Sequence, residues 1–414
     1  MNLPTFWKNV ITVLGGTAIA QVIPIAILPV LTRIVSADEL GTYFVWFGAT
    51  SILIVIASAR LDMAVFSAKS EAQVNGIFQA VLVISCAVGI AGLLTVIAFQ
   101  QFPSKHLLDG AASRYSVAWA VYAVIMANCQ TLLAVYVYRA QFKRMASGKI
   151  LLAGSVALAQ LALSLAGAGL SGLVYGQLAM SFIVTITLMY RAGLQPLSLL
   201  ANVNSAGLKD TLKIYYRFPV IAMPSDFINA FATQIPLFLI AIRFGTASVA
   251  LYALTLRVLS GPIGLLGNSI LAVFKEQAGR DYRDKGNCLE AYYYAFRSLL
   301  LLAIIPFTLL FFYGEEAFVL IFGNEWSMAG RFAEILAPMF LMKFIASPLS
   351  YTLYIANKQL HDLGWQIALL LMTWAAFDLT GSLLSAVQVY SFGYSALYVI
   401  YLFISYRAAR GVHS

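Results

Sequence analysis

The sequence predicts an all-α integral membrane protein of about twelve transmembrane helices in two six-helix lobes related by an internal repeat. Three observations predict it. Hydrophobic residues make up 61% of the 414 positions and charged residues 10%, and the mean hydropathy is +0.85, so the chain has too little polar surface to cover itself in water. A span needs roughly 20 apolar residues, and about twelve of them would use about 240 positions and leave only short loops. The stretch that begins at Gln21 also returns in outline from Gln234.

Taken in order, the apolar runs predict spans at 10–32, 40–59, 76–100, 115–138, 150–168 and 170–190. A second set follows at 214–242, 246–273, 291–313, 332–355, 363–384 and 386–406. The first run has one cation before it, Lys8, as a signal peptide would. It continues through Pro24 and Pro29 to Arg33 without a small-residue cleavage pattern, so it reads as a retained helix. Between the two sets lies RAGLQPLSLLANVNSAGLKD, the longest polar connection. The expected organisation is an N-terminal lobe over 1–190, a cytoplasmic linker over 191–213, a C-terminal lobe over 214–406 and a cytoplasmic tail over 407–414.

The repeat joins QVIPIAILPVLTRIVSADELGTYFVWF to QIPLFLIAIRFGTASVALYALTL. Each has a Gln, an Ile-Pro step, an apolar run and an Arg, with a Tyr in the next span ten (Arg33, Tyr43) or nine (Arg243, Tyr252) positions on. Six-span halves repeated in one orientation are a common transporter plan, with the substrate site expected where the halves meet.

Charge sets the orientation. With a cytoplasmic N-terminus, eighteen cations fall on the cytoplasmic side, among them Arg60, Lys69, Arg139, Lys143, Arg144 and Lys149. Five (Arg33, Lys105, Arg114, Arg243 and Arg331) fall on the other. The positive-inside rule therefore places both termini in the cytoplasm and explains most of the net charge of +9 without nucleic acid. The loop KEQAGRDYRDKG, Lys275 to Gly286, is expected to meet anionic lipid. Cys86, Cys129 and Cys288 lack paired spacing, the three histidines form no metal pair, and no Gly-rich loop precedes a Lys-Ser or Lys-Thr step. No cofactor, metal, ATP hydrolysis or other enzymatic activity is expected.

An ionisable side chain inside a span costs at least ~2.5–3.5 kcal/mol by insertion scales, so it faces a partner or a wet cavity. Five such residues fall in the second half: Asp226, Arg257, Arg297, Lys343 and Asp378. Arg297 lies near the cytoplasmic end, where snorkelling to the headgroups is the plain alternative. Arg257 and Lys343 sit near mid-span and read as cavity cations. Asp226 lies among Pro219, Pro224 and Pro236, with an ion pair to Arg257 as its structural alternative; Asp378 has the outer interface as its own. Arg60 and Asp62 close the second span as a boundary anchor or as the rim of a cavity mouth. Gln21, Gln130, Gln160, Gln177 and Gln234 either bond helix to helix or line a water path.

Three blocks carry a family resemblance: PVLTRIVSADELGTYFVWFGATSILIVIASARLDMAVFSAKSEAQ; RFPVIAMPSDFINAFATQIPLFLIAIRFGTASVALYALTLRVLSGPIGLLGNSILAVFKEQA; and ILAPMFLMKFIASPLSYTLYIANKQLHDLGWQ. They resemble the Wzx-type O-antigen flippases of the multidrug/oligosaccharidyl-lipid/polysaccharide (MOP) exporter superfamily. Leu61 stands where that family usually has an aromatic, and Asp62 where Glu is frequent. The resemblance implies a bacterial inner-membrane flippase that carries a polyprenyl-pyrophosphate-linked oligosaccharide, such as an O-antigen repeat unit of lipopolysaccharide, to the periplasmic leaflet. Membrane lipids, a polysaccharide polymerase and a chain-length regulator are the expected partners. In this reading Arg257, Lys343, Arg60 and Arg297 hold the pyrophosphate, since cations can replace the hydration it loses. Asp226, Asp378 and Asp62 serve ion coupling or charge pairing. A multidrug extruder with an acid-lined cavity and a non-transporting scaffold are the competing readings. A reporter fused after Ser414 is expected to be active only in the cytoplasm; activity only outside would reverse the topology.

Overall fold

The computed structural model describes residues 3–100, 115–194, 205–356 and 358–411. The outer connection over 101–114, with Lys105, His106 and Arg114, lies outside them, as do residues 195–204 of the linker and His413. Among the described residues every regular element is a helix. Hydrocarbon offers no water to bond a peptide group, so each span must satisfy its backbone within itself.

Packing divides the chain into two units, Met1–Gln234 and Ile235–Ser414. The first contains α1 (Leu3–Ile34), α2 (Ala37–Ser58), a one-turn α3 (Leu61–Ala64), α4 (Glu71–Gln100), α5 (Ser116–Tyr138), α6 (Phe142–Leu165), α7 (Gly169–Arg191) and α8 (Ser205–Ile214). A π turn over Phe218–Ala222 then leads into α9 (Met223–Phe244), within which the division between the units falls. Here α1 packs on α6, α6 on α7, and α5 against α2, α4 and α7. Phe78, Cys129, Leu132, Tyr136, Val184 and Leu188 form a buried core.

The start of α2 shows how local sequence sets these joints. Ser36 accepts a hydrogen bond from the Glu39 amide at 3.4 Å, while Glu39 Oε2 accepts from the Ser36 amide at 3.2 Å, a reciprocal cap. Glu39 Oε1 also accepts from the Leu170 amide at 3.1 Å, so one carboxylate caps α2 and α7 together. Deeper in, Tyr43 donates to Gln177 Oε1 at 3.0 Å, Gln160 Nε2 donates to the Tyr43 hydroxyl at 2.9 Å, and Gln177 Nε2 donates to the Tyr122 hydroxyl at 2.6 Å. Gln160 and Gln177 thus join helices.

The second unit contains the rest of α9, then α10 (Thr246–Pro262), a π turn over Ile263–Gly267 and α11 (Asn268–Lys285). α12 (Leu289–Phe322), α13 (Ser327–Leu349), a one-turn α14 (Thr352–Ile355), α15 (Gln359–Asp378) and α16 (Leu383–Ala409) complete it. α13 is its centre, packed by α10, α12 and α16. Tyr252 is fully buried against Phe377 and Tyr390, as Tyr43 is buried in the first unit, so the repeated Tyr has the same core role twice.

Twelve long helices correspond to the twelve expected spans, and ten are long and apolar enough to cross a membrane among the described residues. The eighth is shorter, because the chain turns at Ile263–Gly267. The eleventh carries Asp362 and Gln366 near its start and is too polar to qualify. The outer loop expected over 314–331 is largely helical instead. α12 kinks at Tyr313 (φ −129°, ψ 20°) and continues to Phe322, and Glu334 Oε1 accepts from the Glu315 amide at 2.9 Å, beside the kink.

Gly314 and Gly330 let α12 and α13 approach closely. A Cβ on Gly330 would stand 2.6 Å from the Glu315 Cα and 2.7 Å from the Gly314 carbonyl oxygen, both backbone atoms that cannot swing aside. Gly330→Ala is expected to cost about 1–3 kcal/mol and lower the melting temperature in detergent; Gly286→Ala, where a Cβ meets open space, should show only the cost of its left-handed φ of 72°.

Candidate functional site

The chain between α2 and α4 contains the sharpest departure from helix in the first unit. After Ser58, Ala59 (φ 47°) and Arg60 (φ 54°) both take the left-handed conformation, which costs an L-residue roughly 1–2 kcal/mol each. Local bonds offset part of that: Ala59 N–H donates to Ile56 O at 3.0 Å and Arg60 N–H to Ser58 Oγ at 3.2 Å. Burial supplies the rest. Leu61, Ala64 and Val65 are fully buried where α3 packs on α4 and α5, and burying a Leu is worth about 1.5–3 kcal/mol. Leu61 is thereby a core side chain, which explains why an aromatic can be absent there.

This turn aims Arg60 and Asp62 at each other and at the start of α9. Arg60 Nε lies 2.5 Å from Asp226 Oδ2, and Arg60 Nη1 lies 3.7 Å from Asp62 Oδ2. The Nε–H is not directed along its line of contact, so that interaction is an ion pair rather than a hydrogen bond. Side-chain exposure grades from 9% at Asp62 through 21% at Arg60 to 38% at Asp226. Asp62 Oδ1 is buried without a hydrogen-bond partner. Burial pushes the Asp62 carboxyl up from its ordinary range, and the Arg60 guanidinium opposes that shift without cancelling it.

The structure brings three of the seven expected site residues together and corrects one pairing: the partner of Asp226 is Arg60, not Arg257. The reason is that Asp226 lies in the first turn of α9, beside the π turn on which α3 packs. Asp378 is not inside a span but is the last residue of α15, where Arg243 Nη1 reaches its Oδ1 at 2.7 Å. Arg257 is half-buried on α10. Lys343 is half-buried on α13 with its ammonium 5.5 Å from the centre of the Phe340 ring, a cation–π contact; among the described residues no carboxylate lies within 4 Å of it. Arg297 is exposed on α12, as a snorkelling side chain is.

Two polar groups, one half-buried and one buried, escaped the sequence reading. Lys149 was expected in a cytoplasmic loop, yet α6 begins at Phe142, and Lys149 donates to Thr17 Oγ1 at 3.2 Å, two turns in. Asp362 is buried in α15 and accepts from Tyr354 at 2.9 Å, Gln366 at 2.8 Å and Tyr401. Both sit just outside the assigned spans, so neither stood out as a charge in an apolar run.

Among the described residues the chain is two units of helices, ten of them long and apolar enough to cross a membrane, which is the architecture of a multi-pass membrane protein. Among solved structures it is similar to the lipid II flippase MurJ in an inward closed conformation, with a TM-score of 0.71 and 14% identity over 95% of this chain and 86% of that one. It is also similar to an inward-facing multidrug resistance MATE family transporter of the MOP superfamily, with a TM-score of 0.66 and 14% identity over 94% and 97%. A third is a MOP superfamily transporter from Pyrococcus furiosus, described as having a binding pocket of reverse polarity, with a TM-score of 0.61 and 13% identity over 96% and 94%. The sequence pattern of the family described as "Polysaccharide biosynthesis protein" matches residues 30–330, and the chain belongs to that family. No curated protein matches the sequence.

Because the Asp62 carboxyl is raised, its protonated form is favoured by folding. Its contribution is full below the ordinary carboxylate range and is lost as pH rises through the raised value. Asp62→Asn is therefore expected to melt at a higher temperature than the native chain at pH 7, with the difference vanishing on acidification; melting curves in detergent at several pH values measure it.

Proposed function

We propose that this protein is a flippase that moves a polyprenyl-pyrophosphate-linked oligosaccharide, an O-antigen or related surface-polysaccharide repeat unit, from the cytoplasmic to the periplasmic leaflet by alternating access. The observation that carries this reading is Arg60: a guanidinium held by a strained turn, flanked by carboxylates, and still 21% exposed. A diphosphate loses its hydration on entering hydrocarbon, and a planar guanidinium restores it with paired charge-assisted hydrogen bonds. Membership of a polysaccharide-biosynthesis family supports a glycan cargo, and the MurJ likeness supports a fold able to carry one.

In the second unit, Lys343 and Arg257 are the proposed further phosphate contacts; Lys343 suits the role because no carboxylate within 4 Å balances it among the described residues. Arg297, exposed on α12, fits a headgroup contact better than a cavity one. For ion coupling we favour Asp62. Asp226, Asp378 and Asp62 each face an arginine, but Asp62 is the one of the three that is buried with an oxygen lacking a hydrogen-bond partner, which a proton would satisfy. The proposed setting is a bacterial inner membrane with both termini cytoplasmic, where a polymerase and a chain-length regulator would take up the product. The bias of mid-span charges toward cations, Arg257 and Lys343, argues against a drug-cation extruder.

Surface glycan in a flippase-deficient strain tests this. Arg60→Glu and Lys343→Glu are each expected to lower export at least about tenfold at unchanged protein level, as loss of a charge-assisted contact to phosphate implies, while Arg297→Gln leaves most of it. Undiminished export by both charge reversals would remove the proposed cation site.

A further inference from the structure

Arg60 is already occupied. Asp226 Oδ2 stands 2.5 Å from its Nε, an ion pair that fills the space a phosphate oxygen would need in order to reach the guanidinium. The two carboxylates beside Arg60 differ in how firmly they are held. Asp62 belongs to a turn anchored by fully buried Leu61 and Val65. Asp226 is more than a third exposed and follows a π turn, Phe218–Ala222, in which no residue is buried. Pro219 lies within that turn and Pro224 is the second residue of α9, so this segment lacks two backbone donors, and π turns of this kind are frequent at functional sites.

We propose that Asp226 is a displaceable internal ligand of Arg60: it holds the anion subsite until the diphosphate of a prenyl-linked substrate takes its place and releases the start of α9 from the α2–α3 turn. This rests on the Arg60 diphosphate site proposed above. An internal competitor lowers the apparent affinity for every phosphoryl ligand by the same factor, the fraction of time the subsite is free. Weak ligands such as free phosphate then fall below occupancy, while a substrate with further contacts does not. When the substrate leaves, the returning carboxylate neutralises Arg60, so the guanidinium is not stranded without a counter-charge.

Binding of farnesyl diphosphate to the purified full-length protein in detergent, with hydrogen exchange over residues 218–230, tests the exchange. Asp226→Asn is expected to bind about fivefold more tightly than the native chain, the equivalent of about 1 kcal/mol for a half-exposed ion pair. Asp226→Glu, which keeps the competitor, should bind as the native chain does. Exchange over Phe218–Ala222 should be fast without ligand in Asp226→Asn, but fast only with ligand in the native chain. Inorganic pyrophosphate should show the same tightening, because Arg60 reads the phosphates; tightening confined to farnesyl diphosphate would place Asp226 against the tail and overturn the exchange. Native or weaker affinity in Asp226→Asn, with binding lost in Arg60→Gln, also overturns it while leaving the Arg60 site intact. If Arg60→Gln binds as well as the native chain, or no form binds either probe, the underlying diphosphate site fails and the exchange with it.

Discussion

A peptide group in hydrocarbon must find its hydrogen-bond partner inside its own helix, and this constraint governs almost everything in the chain. It makes each departure from regular helix informative, because a break is tolerated only where neighbouring protein or water satisfies what it frees. Among the described residues the breaks are few. Apart from the left-handed Ala140 and the π turn over Ile263–Gly267, three stand out: the left-handed pair Ala59–Arg60, the π turn before Asp226 and the kink at Tyr313, each answered nearby by an ion pair or a side-chain hydrogen bond. Two of these three breaks meet at one arginine.

The same constraint explains how charge is graded around that arginine. Asp62 is buried and costly as an anion, Arg60 is intermediate, and Asp226 is more than a third exposed. A guanidinium between a buried and a more exposed carboxylate is compensated as it stands, and in the exchange proposed above it would change one partner without leaving a bare buried charge. That arrangement suits a protein whose ligand is itself a polyanion passing from water to water. A structural ion pair alone would be expected where both partners are fixed, as Glu39 is fixed by capping two helices at once.

The candidate site was only partly legible from the residues. Arg60, Asp62 and Asp226 stood out individually because charges next to apolar runs are conspicuous, but their meeting was not visible. Arg60 and Asp226 are separated by most of the first unit's chain, and the pairing depends on two non-glycine residues adopting left-handed backbone, for which the run Ala-Arg-Leu carries no local signal. Lys149 and Asp362 were missed for the opposite reason. Each lies a few residues beyond an apolar run, where hydropathy changes gradually and helix ends depend on capping and neighbours more than on composition.

Sequence alone determined the solvent, the number of long helices and the repeat, because these follow from the quantity and period of apolar residues and need no knowledge of what touches what. Tertiary structure decided which charges are neighbours, which are balanced, and where helices end. Those outcomes turn on distances of a few ångströms between segments far apart in the chain, and electrostatic energies in a low-dielectric setting change several-fold over that range.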